Sequence, residues 1–197
     1  MIGRMIAGAL LAAVVLLAWG VVYWAKLPFQ LFVAKPLPTG DAVVRDVRQG
    51  LPETAVCLYP RWEEPETESE QEAVCERVLR QQTQGPLGQL LSHQGRIDTR
   101  SPGLFAQYFG SAVIVAGLLV LALPGLKCYA ARVGFVFLAG LFAAVAVNFS
   151  QAIWFHQPWG YHLFLAAFHV SGWLLAGSVM ALVIRPREGA LAGRPTA

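Results

Sequence analysis

Long apolar runs without a charged residue dominate the chain. Three such stretches are Met5–Ala25, Ser101–Leu126 and Val133–Ile184. A helix that crosses the bilayer core needs roughly 20 apolar residues, so the first two stretches fit one crossing each and the third fits two. Pro158 and Gly160 are the clustered helix breakers of the third stretch, and we place a turn there. The pattern predicts four membrane-spanning helices, at about Ile6–Trp24, Phe105–Leu123, Val133–Trp154 and Tyr161–Ile184.

The polar segment between the first two apolar runs has a mixed pattern. The run KPLPTGDAVVRDVRQGLP predicts a short amphipathic helix with Thr39 or Asp41 as its N-cap. ETAVCLYP favours a strand closed by proline, and GPLGQLLSHQGRID favours a second strand. Between them, a loop rich in glutamate leads into a helix near Ser69–Gln82. This segment is therefore predicted to be a small α+β unit.

These elements combine into an all-α four-helix membrane bundle with a small α+β extracytoplasmic domain inserted between helices 1 and 2. Residues 1–25 form transmembrane helix 1, residues 26–104 the periplasmic domain, residues 105–184 helices 2–4, and residues 185–197 a cytoplasmic tail. The composition agrees, because 56% hydrophobic and 14% charged residues are too apolar for a soluble domain of this size. The first apolar run is too long for a cleaved signal peptide and has no A-x-A site after it, so we interpret it as an anchor.

The positions of lysine and arginine predict the orientation. Positive residues beside membrane helices are retained on the cytoplasmic side. Arg4 precedes the first helix, Lys127 and Arg132 lie in the short loop before the third, and Arg185 follows the last. We therefore expect both termini to be cytoplasmic, with residues 26–104 and the turn near Pro158 on the outer side. The net charge of +3 then meets lipid headgroups on the cytoplasmic rim and does not indicate nucleic-acid binding.

Cys57 and Cys75 both lie in the segment predicted to face the oxidising periplasm. They form the only intrachain pair on that side, so we predict a disulfide that closes a loop of about 19 residues. The alternative is two buried thiols that never meet. Cys128 lies alone on the reducing side, and the chain has no C-x-x-C motif to support thiol redox chemistry.

Four segments carry a resemblance to a protein family: AWGVVYWAKLPF, LPTGDAVVRDVRQGLPETAVCLYP, GPLGQLLSHQG and NFSQAIWFHQPWGYHLFLAAFHVSGWLLAGSVMALVIRP. They resemble a family of small bacterial inner-membrane proteins with one N-terminal helix, a periplasmic domain and three C-terminal helices. The similarity runs over most of the chain, and its motifs are glycine, proline and aromatic positions. The family has no assigned biochemical activity, so the resemblance implies an architecture and a location but no site residues. The histidine-rich turn and the cysteine pair depart from the family pattern.

Three of the four histidines cluster in WFHQPWGYHLFLAAFH, around the predicted outer turn. His162 and His169 share a helix face, but they lie about 10 Å apart along the axis, too far to bind one metal ion. His156, His162 and His93 are therefore the candidate metal ligands, although no acidic residue is close in sequence. A haem held by two histidines is disfavoured because only His169 lies deep. We predict no metal, and interpret the turn as an aromatic belt with wettable histidines.

A quinone head group is a further candidate ligand. Asn148, Gln151, Trp154 and His169 would supply an amide, aromatic rings and an imidazole near the outer surface. Asn148 and His169 lie at comparable depth on neighbouring antiparallel helices. We predict that they face the bundle interior and hydrogen-bond directly, or through water or Ser111. We expect no resident cofactor.

Small residues recur at a spacing of four on the last two helices. The pairs are Gly140-xxx-Ala144, Gly172-xxx-Ala176 and Gly177-xxx-Ala181. Such pairs let helix backbones approach closely, so we interpret them as packing within the bundle; they also permit a homo-oligomer.

Sequence signatures of catalysis are missing: the chain has no G-x-S-x-G, no phosphate-binding glycine loop and no H-E-x-x-H. No charged residue lies inside a predicted span, which disfavours ion-coupled transport. The sequence favours a non-enzymatic accessory, assembly or envelope-interaction protein, whose partners are the lipid bilayer and a protein met by the outer domain. The alternative is a membrane enzyme, or a quinone- or metal-binding protein, with its site at the outer ends of helices 3 and 4.

Overall fold

A computed structural model of the chain describes residues 1–27, 40–50, 54–59, 67–85, 88–93 and 102–186. In chain order the elements are α1 (Ile2–Lys26), α2 (Gly40–Gly50), β1 (Ala55–Tyr59), α3 (Glu68–Gln84), β2 (Gly88–Ser92), α4 (Pro102–Ala122), α5 (Tyr129–Trp154) and α6 (Trp159–Val183). Within α5, residues Val145–Phe149 form a π-helical turn. The described part of the chain is mostly helical, and its sheet consists of β1 and β2.

The helices α1, α4, α5 and α6 are long and apolar enough to cross a membrane, which confirms the predicted number and order of spans. The turn between α5 and α6 falls in the predicted segment. The first three of these helices begin about one turn earlier than predicted, because the helix continues past the charged or polar residues that were used as limits. The chain is a multi-pass membrane protein.

The bundle is organised around α1 and α6. Helix α1 packs along both α4 and α6, and α6 packs along α5, whereas the consecutive helices α4 and α5 barely touch. Fully buried alanines on α1 and α4, such as Ala12 and Ala116, bring these helices close together. Inside a membrane, close packing of small residues replaces the hydrophobic effect as a source of helix association.

Glycines stand where two helices cross. A Cβ atom at Gly140 would overlap the Trp173 side chain, and one at Gly177 would stand 3.0 Å from Val136. At Gly172, an added Cβ would lie 3.1 Å from the ring of Trp19. The alanine partners of these three glycines are buried as well. The predicted role of the small-residue pairs in bundle packing is therefore confirmed.

Two hydrogen bonds join α1 to α6. Trp19 donates its indole N–H to the Ser171 hydroxyl at 3.1 Å. The Tyr23 hydroxyl donates to the backbone oxygen of Phe164 at 2.8 Å, and the Tyr23 ring packs on Phe164 and Phe168. Each bond satisfies a polar group that would otherwise stay unpaired in hydrocarbon.

Arginines bond to backbone carbonyls on the side of the bundle that carries the start of α1, the α4–α5 loop and the end of α6, here the terminal side. Arg132 is buried; it donates to the Ala181 carbonyl from Nε at 3.2 Å and to the loop carbonyls of Leu126 and Lys127. Ala181 lies in the last turn of α6, where backbone carbonyls lack helical partners and attract positive charge. Arg132 thus ties the loop to the end of α6.

The elements between α1 and α4 occur where the sequence predicts them. Helix α2 occupies the predicted amphipathic run, α3 extends the predicted Ser69–Gln82 helix, and β1 and β2 match the two predicted strands. The strands pair antiparallel, with Val56 opposite Leu91 and Cys57 opposite Leu90. The N-cap candidate Thr39 and most of the glutamate-rich loop lie outside the described residues.

The predicted Cys57–Cys75 disulfide is not formed: Cys57, Cys75 and Cys128 are all free thiols. The physical reason is the geometry of α3, whose buried side chains are Val74 and Val78. At 3.6 residues per turn, Cys75 lies about 80° from the centre of that buried face and is exposed. Presence on one side of a membrane, the basis of the prediction, does not bring two thiols together.

Candidate functional site

Polar side chains meet at two places on the side of the bundle where α1 ends and α4 begins. This side, here the segment side, also carries the α5–α6 turn and the antiparallel pair β1–β2. Helix α3 lies between the two strands in the chain, and we call the strand pair the hairpin. One group of polar residues surrounds the turn. The other lines a cleft between α4 and α5.

The turn is built from a short irregular run between two helices. Helix α5 ends at Trp154, and His156 adopts a left-handed backbone with φ 50°. Pro158 then precedes the first residue of α6, a position that suits proline because no helical partner is required there. This backbone turns His156 to the surface, where it is exposed.

Gln157 is the centre of a hydrogen-bond network at this turn. Its amide Nε2 donates to Gln89 of β2 at 2.9 Å and to Gln151 of α5 at 3.3 Å. Its Oε1 accepts from Nε2 of His162, 2.7 Å away. One side chain therefore links the hairpin to both helices of the turn.

His162 is nearly enclosed, with 3% of its surface exposed. Because Nε2 donates to Gln157, the neutral ring carries its proton there and leaves Nδ1 as an acceptor. Nδ1 is buried and has no hydrogen-bond partner in the described residues. The ring packs edge-on against Tyr161, so His162 stabilises the connection between the turn and α6.

The candidate metal ligands His93, His156 and His162 are not brought together. His93 is exposed at the end of β2, beside a shallow hollow lined by Val56 and Leu91. His156 is exposed, and His162 is paired with Gln157. Within the described ranges, no group of three histidine, cysteine or acidic residues is placed to hold a metal ion.

The candidate cofactor residues Asn148, Gln151 and His169 also separate. Gln151 belongs to the Gln157 network. Asn148 is buried in the π-helical turn and donates its amide to the Ala144 carbonyl at 2.9 Å. A direct hydrogen bond between Asn148 and His169, one of the predicted alternatives, is absent from the described part of the chain. A π turn adds a residue to the helix and rotates the side chains around it, so placement by a regular helical period fails at Asn148.

His169 instead faces a cleft of about 540 Å³. Helices α4 and α5 form its two walls, and α1 and α6 form its floor. Its wall on α5 is built from small side chains, Ala139 and Ala143, which leave the space open. The lining residues are Leu16, Gln107, Tyr108, Ser111, Ile114, Val115, Ala139, Ala143, Val147, Phe168, His169, Gly172 and Trp173.

Four polar side chains in this cleft have no hydrogen-bond partner among the described residues; we call Gln107, Tyr108, Ser111 and His169 the cleft quartet. Ser111 lies about 14 Å from the start of α4, and His169 about 15 Å from the start of α6, at 1.5 Å per residue. Ser111 and His169 therefore lie within the membrane-spanning part of the bundle, and Gln107 and Tyr108 lie nearer its segment end, about 8–9 Å from the start of α4. The unpaired groups of the quartet give the cleft a hydrogen-bonding surface.

Sequence reasoning named Ser111 and His169 but missed Gln107 and Tyr108. The signal was present, because residues 107, 108 and 111 share one helical face at spacings of three and four. These are polar or amphipathic residues in a span that is otherwise apolar. Their meeting with α6 depends on the gap between α4 and α5, which no local pattern reports.

No protein family, curated protein or solved structure matched this chain. The fold and the contacts of its own residues are therefore the basis for its function.

Proposed function

We propose that this protein is a non-enzymatic accessory protein of a bacterial inner membrane, with both termini in the cytoplasm and an α+β domain in the periplasm. It acts by contacting a second protein of the envelope through that domain. The bilayer covers the bundle, and the hairpin β1–β2 supplies the contact surface.

The charge distribution supports this orientation. Arg4 and Arg185 lie together on the terminal side, where the Arg4 guanidinium donates to the Arg185 carbonyl at 3.5 Å. Lys127 and Arg132 lie on the same side, in or beside the α4–α5 loop. Positive residues collect on the cytoplasmic side of membrane proteins, so the segment side is the periplasmic side.

The observation that carries the proposal is an uncovered apolar face on the hairpin. Gln89 and Leu91 lie on one face, which the bond from Gln157 to Gln89 connects to the bundle, and on that face Val56 and Leu91 are 59% and 70% exposed. Tyr59 and Leu90 lie on the opposite face and are 57% and 43% exposed.

A two-stranded hairpin is marginally stable alone and needs a surface packed against it. Tyr59 and Leu90 lie on the face opposite Gln89 and stay exposed among the described residues. An apolar strand or face of a second protein would bury both side chains and could extend the sheet at an open edge. The Gln89–Gln157 bond would hold the hairpin in place for this contact.

Site-directed photocrosslinking in cells tests the proposal. Tyr59 and Leu90 are each replaced by benzoylphenylalanine, with Leu79 as the control. Leu79 is 60% exposed and belongs to α3, not to either strand. We expect the two hairpin positions to give the same discrete protein adduct and Leu79 to give none.

Two outcomes contradict the accessory role. One is the absence of a protein adduct at both hairpin positions while the variants accumulate normally in the membrane. The other is an adduct that contains only a second copy of this chain, which would make the face a homo-oligomer interface.

A further inference from the structure

The polar groups of the cleft quartet need hydrogen-bond partners that the described residues do not supply. A polar group within the hydrocarbon layer is costly unless it is hydrogen-bonded. Other polar side chains of the bundle, such as Trp19, Tyr23 and Asn148, are bonded within the protein. The quartet faces a cavity instead, so its partners must come from outside the chain, as water or as a ligand.

The chemistry of the lining restricts the ligand. Every lining residue is uncharged at neutral pH with neutral histidine, so nothing in the cleft would pair with a phosphate or carboxylate. The quartet offers hydroxyl, amide and imidazole groups that donate and accept hydrogen bonds. An uncharged head with strong acceptor oxygens and an apolar tail fits this lining.

The shape of the cleft favours a planar head. The aromatic side chains of Phe168 and Trp173 line the floor, and Ala139 and Ala143 leave the α5 wall thin. A volume of about 540 Å³ lies within the usual range for small-molecule sites. Because α4 and α5 barely touch, a tail can leave the cleft sideways between them into the lipid.

We propose that this cleft binds the head group of an isoprenoid quinone. Ser111 on the α4 wall and His169 on the floor, at similar depth, donate to the quinone carbonyl oxygens. Gln107 and Tyr108 lie nearer the segment side and bond substituents on the ring or water beside it. This ligand site goes beyond the proposed partner contact and does not depend on it.

Equilibrium binding of decyl-ubiquinone to the purified full chain in detergent micelles tests the site. Ala143→Phe fills the cleft, whereas Ala146→Phe puts the same ring on an exposed position of α5 outside the lining. We expect saturable binding by the native protein and by Ala146→Phe, and loss of binding in Ala143→Phe. No saturable binding by the native protein, or equal binding by both variants, would overturn the proposal.

Two milder variants test the hydrogen bonds. Ser111→Ala and His169→Leu each remove one donor, and we expect each to weaken decyl-ubiquinone binding roughly three- to tenfold, as the net contribution of one hydrogen bond implies. Dioctanoylglycerol, a neutral lipid without a planar head, should not displace the quinone. Two results would show that the cleft binds apolar chains without recognising a quinone head group. One is displacement of decyl-ubiquinone by an equal concentration of dioctanoylglycerol; the other is unchanged decyl-ubiquinone affinity in both variants.

Discussion

Polar side chains in the bundle differ in where their hydrogen bonds go. Tyr23 and Arg132 donate to backbone carbonyls of α6 and so join it to α1 and α5, whereas Asn148 donates to a carbonyl of its own helix. Ser111 and His169 have no hydrogen bond among the described residues and face the cleft. Some polar side chains thus stabilise the bundle, and others offer a binding surface. The sequence identifies the polar residues, but it does not tell which of them bond within the bundle and which face the cleft.

Arg132 provides a test of structure at the residue scale. It is 7% exposed, and replacing it with leucine leaves the Ala181 carbonyl and two loop carbonyls without their donor. We expect Arg132→Leu to lower the free energy of unfolding by about 1.5–3 kcal/mol, the range for hydrogen bonds to a charged group. Unfolding in mild detergent measures the change.

Lys127→Leu is the matched control, because it removes the same charge from an exposed position of the α4–α5 loop, five residues before Arg132. It should change stability by less than about 0.5 kcal/mol. Equal losses in the two variants would mean that loop charge, not the Arg132 hydrogen bonds, stabilises this side.

At the element scale, hydropathy predicts where the membrane-spanning helices lie, but it does not predict which side chains of a helix face which neighbour. Charge-free runs identified all four spans, because a bilayer demands long apolar helices. The π turn at Val145–Phe149 has no comparable signature in sequence, and it displaced Asn148 from its predicted partner. The Cys57–Cys75 prediction failed for a related reason, since compartment does not specify which face of α3 a thiol occupies.

Gly140 and Gly134 test helix packing as a matched pair on α5. A Cβ at Gly140 would overlap Trp173 of α6, whereas one at Gly134 would meet nothing within 4 Å. We expect Gly140→Ala to destabilise the protein by about 1–3 kcal/mol, as overpacking usually does. Gly134→Ala should be neutral or stabilising by up to about 1 kcal/mol, because alanine favours a helix more than glycine.

Thermal unfolding in one detergent compares the two glycine variants. A neutral Gly140→Ala would mean that α5 and α6 are farther apart than their contact in this structure requires. Destabilisation by Gly134→Ala would reveal a neighbour at an apparently open position.

At the scale of the whole molecule, one arrangement positions both candidate surfaces. The central pair α1 and α6 carries α4 and α5 on its flanks, which leaves the cleft open between those two helices. The Gln157 network holds the hairpin over the same side of the bundle. A ligand in the cleft and a partner on the hairpin would therefore act on the same side of the membrane. Whether that side is the periplasmic one depends on the orientation of the chain.

Labelling of native thiols measures that orientation. Cys75 on α3 and Cys128 before α5 are both exposed, and they lie on opposite sides of the bundle. Two single-cysteine chains are prepared, one keeping Cys75 and one keeping Cys128, with serine at the other two positions. Each is treated with a membrane-impermeant maleimide in intact spheroplasts and again after lysis.

We expect Cys75 to react in intact spheroplasts and Cys128 to react only after lysis. This result would place the hairpin in the periplasm and the α4–α5 loop in the cytoplasm. Reaction of Cys128 in intact spheroplasts, with Cys75 protected until lysis, would reverse the topology and contradict the proposed periplasmic contact.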